Sequence, residues 1–202
     1  CGKALGALPT STLGYERRTN WAFAQHDVEA FVAGVLAGQP ATPPYFAMMK
    51  RVNRDGPPVL GRQAPLVMQR PEALATAVRD GVVLDVRPLD AYAASHLPGT
   101  LNIPLIKAFA KWAGWLLPYD RDLYLVATEP DAAADARRAL QSIGHDRIVG
   151  VFGSDTLAAG VAAGTARQTA RRPIAEAPAL QREGVAILDV REPDEWQAGH
   201  LE

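Results

Sequence analysis

Two short patterns in the sequence pair an acidic side chain with an arginine two positions later. Asp85 and Arg87 occur in the stretch VVLDVRPLDAYAASHLPGTLNIP, and Asp189 and Arg191 occur in the stretch VAILDVREPDEWQAGHL. A carboxylate and a guanidinium at this spacing either pair with each other and with nearby loop amides, or act directly in catalysis. The residue types alone leave both alternatives open.

A histidine follows each pattern at the same distance. His96 and His200 each stand before a leucine, and an aromatic residue precedes each histidine by four positions, Tyr92 in the first copy and Trp196 in the second. The chain therefore carries one supersecondary unit twice, about a hundred residues apart, which indicates a duplicated domain and not a short-period solenoid.

The elements around the first copy place Asp85 and Arg87 at the end of a strand. Residues 82–84 form an unbroken apolar run, which is typical of a parallel strand buried on both faces. We predict that Pro88 fixes the exit from this strand, that a short helix covers residues 89–95, and that a second strand covers residues 101–103. The same pattern predicts a strand before Asp189.

Both copies resemble the opening signature of the rhodanese family. In that signature a strand ending in DVR is followed by an aromatic residue and then by H-[IL]-P-G-[AT]-x-N-[IL]-P, which residues 96–104 keep almost completely. The resemblance implies an α/β fold, a doubly wound parallel sheet flanked by helices. It also implies a domain that handles sulfane sulfur through a cysteine persulfide.

The loop that would hold the family's cysteine lacks one. We predict the central strand at residues 122–127 and the helix behind it at residues 132–143, and the family's nucleophile lies between these two elements. The intervening residues are Ala127, Thr128, Glu129, Pro130 and Asp131. The two carboxylates would repel an anion, the proline lacks an N–H donor, and the acidic side chains suit an ordinary helix N-terminus. We therefore expect no catalytic residue in this domain, for sulfur transfer or for the family's other cysteine-dependent reactions.

Residues 1–62 resemble the C-terminal end of a metallo-β-lactamase-fold hydrolase. The resemblance rests on the strings CGKALG, STLGYERRTNWAF and PPYFAMMKRVNRDGP. This segment followed by a rhodanese unit is similar to fusion proteins that join a persulfide dioxygenase-like or glyoxalase II-like domain to rhodanese domains. Helices are predicted at residues 27–37 and around residues 45–52, and their apolar faces must dock on something else because two short helices make no core.

The same resemblance sets the expectations for metals and substrates. Such parents bind iron or zinc through a His-x-His-x-Asp-His cluster, which is absent here, so we expect no metal or other cofactor in this chain. The four histidines are His26, His96, His145 and His200, and they have no metal-ligand spacing. Glutathione persulfide, or a similar low-molecular-weight thiol, is the expected partner of the parent.

A polar cluster near the start of the chain has two interpretations. Tyr15, Arg17 and Arg18, together with Glu16 and Asn20, would face a thiol substrate if the hydrolase resemblance holds. Alternatively they form a polar loop that caps the following helix.

The domain boundaries follow from these motifs. We predict a hydrolase tail and linker at residues 1–62, a rhodanese-like domain at 63–163, and a linker with the start of a second rhodanese-like domain at 164–202. Both ends fall inside motifs, so we expect a piece of a longer protein. Within the complete domain, further elements are predicted as a strand at 66–68, helices at 71–79, 106–117 and 155–160, and a strand at 147–153. Phe109, Trp112 and Leu116 are expected to face the sheet.

Composition restricts the partners. Lys and Arg total 21 against 22 Asp and Glu, so no charge excess favours nucleic acid or an anionic membrane. Cys1 is the single cysteine. It excludes an internal disulfide, fits a reducing cytoplasm, and receives no role because no base is identifiable near it. The sequence does not decide whether the chain forms a homo-oligomer. It also leaves two functions open: a part of an enzyme, or a structural docking module that positions neighbouring domains or mediates assembly.

Overall fold

The chain divides into two units, with the boundary between Pro43 and Pro44. The computed structural model describes residues 10–39 and 41–201. Cys1 lies outside the described residues, as do the other residues of the CGKALG string. No helix in the described part of the chain has the length and apolar character needed to cross a membrane.

The described residues of the first unit form two α-helices and a short 3-10 helix. Helix α1 spans Leu13–Thr19, the 3-10 helix spans Trp21–Ala24, and α2 spans Val28–Leu36. The predicted helix at 27–37 is thus confirmed, and Asp27 caps it by accepting a hydrogen bond from the Ala30 amide at 2.6 Å. Trp21 stacks on Phe31 with ring centroids 6.1 Å apart. Most of the remaining apolar face of α2 stays exposed.

The second unit is built on a parallel sheet with helices on both faces. In chain order its elements are α3 (Tyr45–Asp55), α4 (Leu74–Asp80), β1 (Val82–Asp85), α5 (Leu89–Ala94), β2 (Leu101–Asn102), α6 (Phe109–Leu116), β3 (Leu123–Val126), α7 (Pro130–Gln141), β4 (Ile148–Phe152), α8 (Ser154–Ala162), α9 (Ala177–Arg182) and α10 (Pro193–Ala198). Four strands pair in the order β2-β1-β3-β4, all parallel. The predicted α/β class with a parallel sheet between helices is confirmed.

Alternation along the strands divides the core into two layers. Leu84 of β1 and Leu125 of β3 belong to one buried cluster, which includes residues of α6 and α7. Val83 and Val126 belong to a second cluster, which includes residues of α4 and α8. Successive strand residues point to opposite faces, and a strand covered on both sides must therefore be apolar throughout.

Helix α3 packs against other elements of the second unit. The Tyr45 ring lies over Gly114 of α6, where an added Cβ would come within 2.4 Å of the ring. Met48 and Met49 lie over Gly144, which has φ +84°. The need of the second predicted helix for an apolar partner is met here by α6 and by the loop that follows α7.

Besides α6, which begins at Phe109 and not at residue 106, three predicted elements differ from the structure. Residues 66–68 form a single bridge, Met68 to Val151, and not a strand. Residues 185–190 form no strand either, and Leu188 and Val190 are 82% and 85% exposed. A strand needs neighbours to satisfy its backbone, and nothing in the described chain pairs with this segment. In the third, α7 begins at Pro130 instead of Ala132.

The predicted face of α6 was also wrong. Phe109 is buried, but Trp112 and Leu116 are about half exposed, at 48% and 54%. The helix instead buries Phe109, Ala113 and Leu117 against the sheet. These residues recur every four positions, so they share one side of the helix. A sequence with apolar residues all around a helix does not define which side is buried.

The arginine-rich segment 164–178 is largely exposed, but it contacts the residues around the first motif. The Arg167 backbone exchanges two hydrogen bonds with His96, at 2.8 and 2.9 Å. The Arg171 side chain pairs with Asp90. The segment therefore returns to the motif around β1 before the second copy begins.

Candidate functional site at the carboxyl edge of the sheet

Asp85 and Arg87 form a buried ion pair at the carboxyl end of β1. The Arg87 Nε donates to Asp85 Oδ1 at 3.0 Å, and Nη2 donates to Oδ2 at 2.7 Å. The side chains are 1% and 9% exposed. The Arg87 backbone amide also donates to Asp85 Oδ1 at 3.0 Å. Of the two alternatives for this pair, the structure shows the pairing with each other and with a loop amide.

Three further contacts tie this pair to the surrounding turn. Arg87 Nη2 donates to the Ser95 carbonyl at 2.9 Å. Asn102 Nδ2 donates to the Asp85 and Arg87 carbonyls at 2.9 and 3.0 Å, joining β2 to the end of β1. Beside these three hydrogen bonds, His96 stacks on Tyr92 with ring centroids 4.3 Å apart, although His96 lies two residues beyond the end of α5. The motif therefore forms one turn that its own side-chain hydrogen bonds stabilise.

The second copy reproduces this turn without a sheet. Arg191 donates to Asp189 at 3.0 and 2.7 Å, and also to the Gly199 carbonyl at 2.8 Å. His200 stacks on Trp196 at 3.7 Å. Hydrogen bonds from Arg191 lower the pKa of Asp189 to about 2. The duplication inferred from the sequence thus extends to side-chain geometry.

The loop between β3 and α7 is only Ala127–Glu129. Ala127 is buried and its amide donates to the Phe152 carbonyl at 3.1 Å, while Thr128 and Glu129 are exposed. Pro130 and Asp131, predicted as loop, lie in the first turn of the helix. A proline at the first helical position removes one of the N–H groups that a bound anion would need here.

Two cavities flank this loop. One of about 280 Å³ is lined by Arg87, by residues after β2, and by Ala127–Glu129. The other, about 500 Å³, lies between the same loop, Met68 and Asp155. The carboxyl edge of the sheet, where ligands bind in open α/β folds, is therefore hollow. The residues that line the two cavities include Glu129 and no cysteine.

The other predicted site residues lie apart from this edge or in another unit. Tyr15, Arg17 and Arg18 lie on α1, and all three are exposed. Glu16 accepts hydrogen bonds from Ser11 and Asn20, which hold its pKa below the usual value. Asn20 in turn caps the 3-10 helix by accepting from the Ala22 amide at 3.0 Å. Asn20 thus supplies a cap, whereas Tyr15, Arg17 and Arg18 lie in a helix and not in the polar loop of that alternative.

Residues 10–39 and 41–201 contain no group of three or more His, Cys, Asp or Glu side chains placed to hold a metal ion. The described residues therefore do not fit an iron or zinc site of the kind that the metallo-β-lactamase resemblance implies.

Two features were missed from the sequence. Asn102 joins the ends of β1 and β2, and the signal available was a polar residue inside a predicted strand. The second is the position of His145, which is 3% exposed and stacks on Tyr119 with ring centroids 4.0 Å apart. Nothing in its sequence context distinguishes it from the exposed His26.

Comparison with known proteins agrees with this geometry. A family model described as Rhodanese-like domain matches residues 70–153. A metallo-β-lactamase from Staphylococcus aureus is 37% identical, with a TM-score of 0.58, covering 76% of this chain and 41% of that protein. The chain thus spans less than half the length of that protein.

Rhodanese structures also match. A rhodanese-like domain from an Anabaena species is 24% identical, covering 46% of this chain and 98% of that domain, with a TM-score of 0.38. A single-domain sulfurtransferase from Saccharomyces cerevisiae is 21% identical, covering 50% of this chain and 96% of that protein, with a TM-score of 0.41. None of the curated proteins compared with the chain matches it.

The buried Asp-x-Arg turn, the parallel sheet and the family match agree on one assignment. The chain contains a rhodanese-like domain at residues 70–153, in an arrangement consistent with a metallo-β-lactamase-fold protein fused to rhodanese domains.

Proposed function

We propose that this rhodanese-like domain has lost sulfur transfer and serves as a structural module in a sulfur-metabolism protein. One observation carries the proposal: the connection between β3 and α7 is Ala127–Glu129, and it contains no thiol. Persulfide chemistry needs a thiolate, and a thiolate at this position would lie beside the Glu129 carboxylate, which raises a thiol pKa. The domain keeps the fold and the Asp-x-Arg turn while the reaction centre is missing.

The test is a thiosulfate-to-cyanide sulfur-transfer assay on the chain with Cys1→Ser. We expect no turnover above the rate without protein. Turnover by the Cys1→Ser protein would overturn the proposal, because this variant contains no cysteine. An active rhodanese assayed beside it confirms that the conditions support the reaction.

A docking role is the second part of the proposal, and the packing of α3 favours it. Tyr45 fills the space over Gly114, and the methionines of α3 cover Gly144. These contacts attach the segment that follows residue 43 to the face of the rhodanese-like domain. An inactive domain that holds the preceding segment in place acts as a spacer between neighbouring domains or as a contact in assembly.

For the parent protein we propose a persulfide dioxygenase or a glyoxalase II-like thioester hydrolase that uses iron or zinc. Glutathione persulfide, or a similar small thiol, would be its substrate, and the cytoplasm its location, since the chain has a single cysteine. The company of rhodanese domains favours persulfide chemistry. This support is an analogy between domain combinations.

Two assays on the parent distinguish these activities. Oxygen uptake with glutathione persulfide indicates the dioxygenase, and thiol release from a glutathione thioester indicates the hydrolase. Activity in neither assay would contradict both assignments and leave the docking role as the remaining function of this chain. Fractionation of cells with an antibody to the chain tests the location.

A further inference from the structure

A cavity of about 470 Å³ lies at the edge of the sheet opposite the Asp-x-Arg turn. Its walls come from α3, from the proline-containing segment after α3, from the loop between α7 and β4, and from the start of β3. Because the strands are parallel, their amino ends share this edge, while the loop Ala127–Glu129 lies at the other. The volume is in the range of small-molecule sites, and the proposed function of the domain makes no use of it.

One part of the wall is apolar and closely packed. Met48, Met49 and Tyr119 line it. Gly144 allows both methionines to approach, since a Cβ there would lie 3.1 Å from Met48 Cγ and 3.3 Å from Met49 Cε. Thioether side chains adapt to the shape of an apolar or aromatic ligand.

The charged part of the wall is mainly cationic. Its charged residues are Arg51, Arg121, Arg147 and Asp146. Arg147 is neutralised by Asp122 at 2.7 Å. Arg121 donates to the Arg79 carbonyl at 3.0 Å, and Arg51 donates to Met48 Sδ at 3.1 Å. Within the described chain neither Arg51 nor Arg121 has an ion pair, and a thioether is a weak acceptor.

Arg51 lowers the pKa of Asp55, but the Asp55 carboxylate already forms an ion pair with another residue. It pairs with Arg54 at 2.7 Å, and that contact is the main cause of its lowered pKa. The Arg51 guanidinium therefore keeps donors available for a bidentate contact with a carboxylate.

A buried polar atom at the same wall also lacks a partner. His145 lines the cavity, is 3% exposed, and its Nε2 makes no hydrogen bond in the described structure. Burial lowers the pKa of His145 to about 4, so the ring is neutral at pH 7. Buried side-chain nitrogens normally have a partner, so the polar groups of this wall are incompletely satisfied in the described structure.

We propose that this cavity binds a small carboxylic acid with an apolar body. The carboxylate pairs with Arg51, and the apolar body lies against Met48 and Tyr119. The cavity is in this way a ligand site separate from the carboxyl edge of the sheet.

The test uses 3-phenylpropanoate as the probe and its uncharged amide as the control ligand. Amide chemical shifts of the full 202-residue chain are followed during titration with each compound. We expect the acid to shift residues around Tyr119, Gly144 and His145 in a saturable way. The amide should bind about tenfold more weakly, because a hydrogen bond to a charged partner is stronger than one between neutral groups.

The matched variants are Arg51→Gln and Arg54→Gln, on the same helix. Arg51→Gln should raise the Kd of the acid about tenfold and leave that of the amide unchanged, whereas Arg54→Gln should change neither, since Arg54 does not line the cavity. Equal binding of acid and amide, an equal loss in both variants, or saturable shifts only elsewhere in the chain would each overturn the proposal, as would no binding at all.

Discussion

Arg87 and Asp85 make the same two-point contact as Arg191 and Asp189, with Nε–Oδ1 at 3.0 Å and Nη2–Oδ2 at 2.7 Å in both copies. The first pair has side chains 9% and 1% exposed, and the second has side chains 44% and 31% exposed. The geometry is therefore a property of the local turn. The consequences of breaking it depend on burial.

Asp85→Asn should destabilise the second unit by about 3 kcal/mol or more, because it leaves the Arg87 guanidinium buried without a counter-charge. Urea unfolding followed by tryptophan fluorescence measures the effect. Asp189→Asn is the matched control, and it should change the unfolding midpoint little, since water solvates Arg191. Equal losses in the two variants would contradict the role given to burial.

The Asp189 carboxyl should titrate near pH 2. Its pKa is lowered by the hydrogen bonds from Arg191, so the stabilisation from this pair is present above the ordinary value of 3.8 and is lost as the pH falls through about 2. A carbon-13 NMR titration of the carboxyl group measures this. In Arg191→Gln the midpoint should return toward 3.8, and an unchanged midpoint would exclude Arg191 as the cause.

His145 should make the second unit less stable in mild acid. Burial lowers its pKa from 6.5 to about 4, so the folded chain binds fewer protons than the unfolded chain between these values. Stability is then full above pH 6.5 and falls as the pH drops toward 4, by roughly 3 kcal/mol in total. Urea unfolding at pH 7.5 and pH 4.5 measures the change.

Because other groups also titrate in this window, the control is His145→Phe. Its stability should depend less on pH than that of the unchanged chain. His26→Phe, at an exposed position, should keep the original dependence. The same pH dependence in all three proteins would remove His145 as its source.

Gly114→Ala should disturb the docking of α3. The added Cβ would lie 2.4 Å from the Tyr45 ring, and overpacking of this kind typically costs about 1–3 kcal/mol. Hydrogen exchange of the α3 amides should quicken along with the loss in unfolding free energy. Tyr45→Ala removes the obstructing ring, so adding Gly114→Ala to it should cost much less than Gly114→Ala alone. Additive losses would mean that the two residues do not meet.

Restoring a thiol should not restore a reactive one. In Thr128→Cys combined with Cys1→Ser, we expect a thiol pKa at or above the ordinary value of about 8.5, because the Glu129 carboxylate is adjacent and disfavours the thiolate. The pH dependence of alkylation measures it. Adding Glu129→Gln should lower that pKa, and a thiol pKa well under 8 in the presence of Glu129 would contradict our interpretation of the loop.

Much of the fold could be predicted because its signals are local. The apolar run before Asp85 and the helices after residues 27, 71 and 132 follow from periodicity, proline and capping residues. The absence of a cysteine after β3 also needs no coordinates, since the residue types are enough. The repeated motif likewise predicted a repeated turn, and both turns form because their hydrogen bonds join residues within ten positions of each other.

Tertiary structure decided the remainder, because burial depends on partners that are distant in sequence. Residues 185–190 have the pattern of a strand but form none without neighbours. Trp112 is half exposed because Phe109 and Ala113 occupy the side of α6 that meets the sheet. His145 is buried while His26 is exposed, although both stand beside an aspartate. Residue types and spacing thus determined the fold class and the lack of a cysteine between β3 and α7, while packing alone placed Arg51 and His145 on the wall of one cavity.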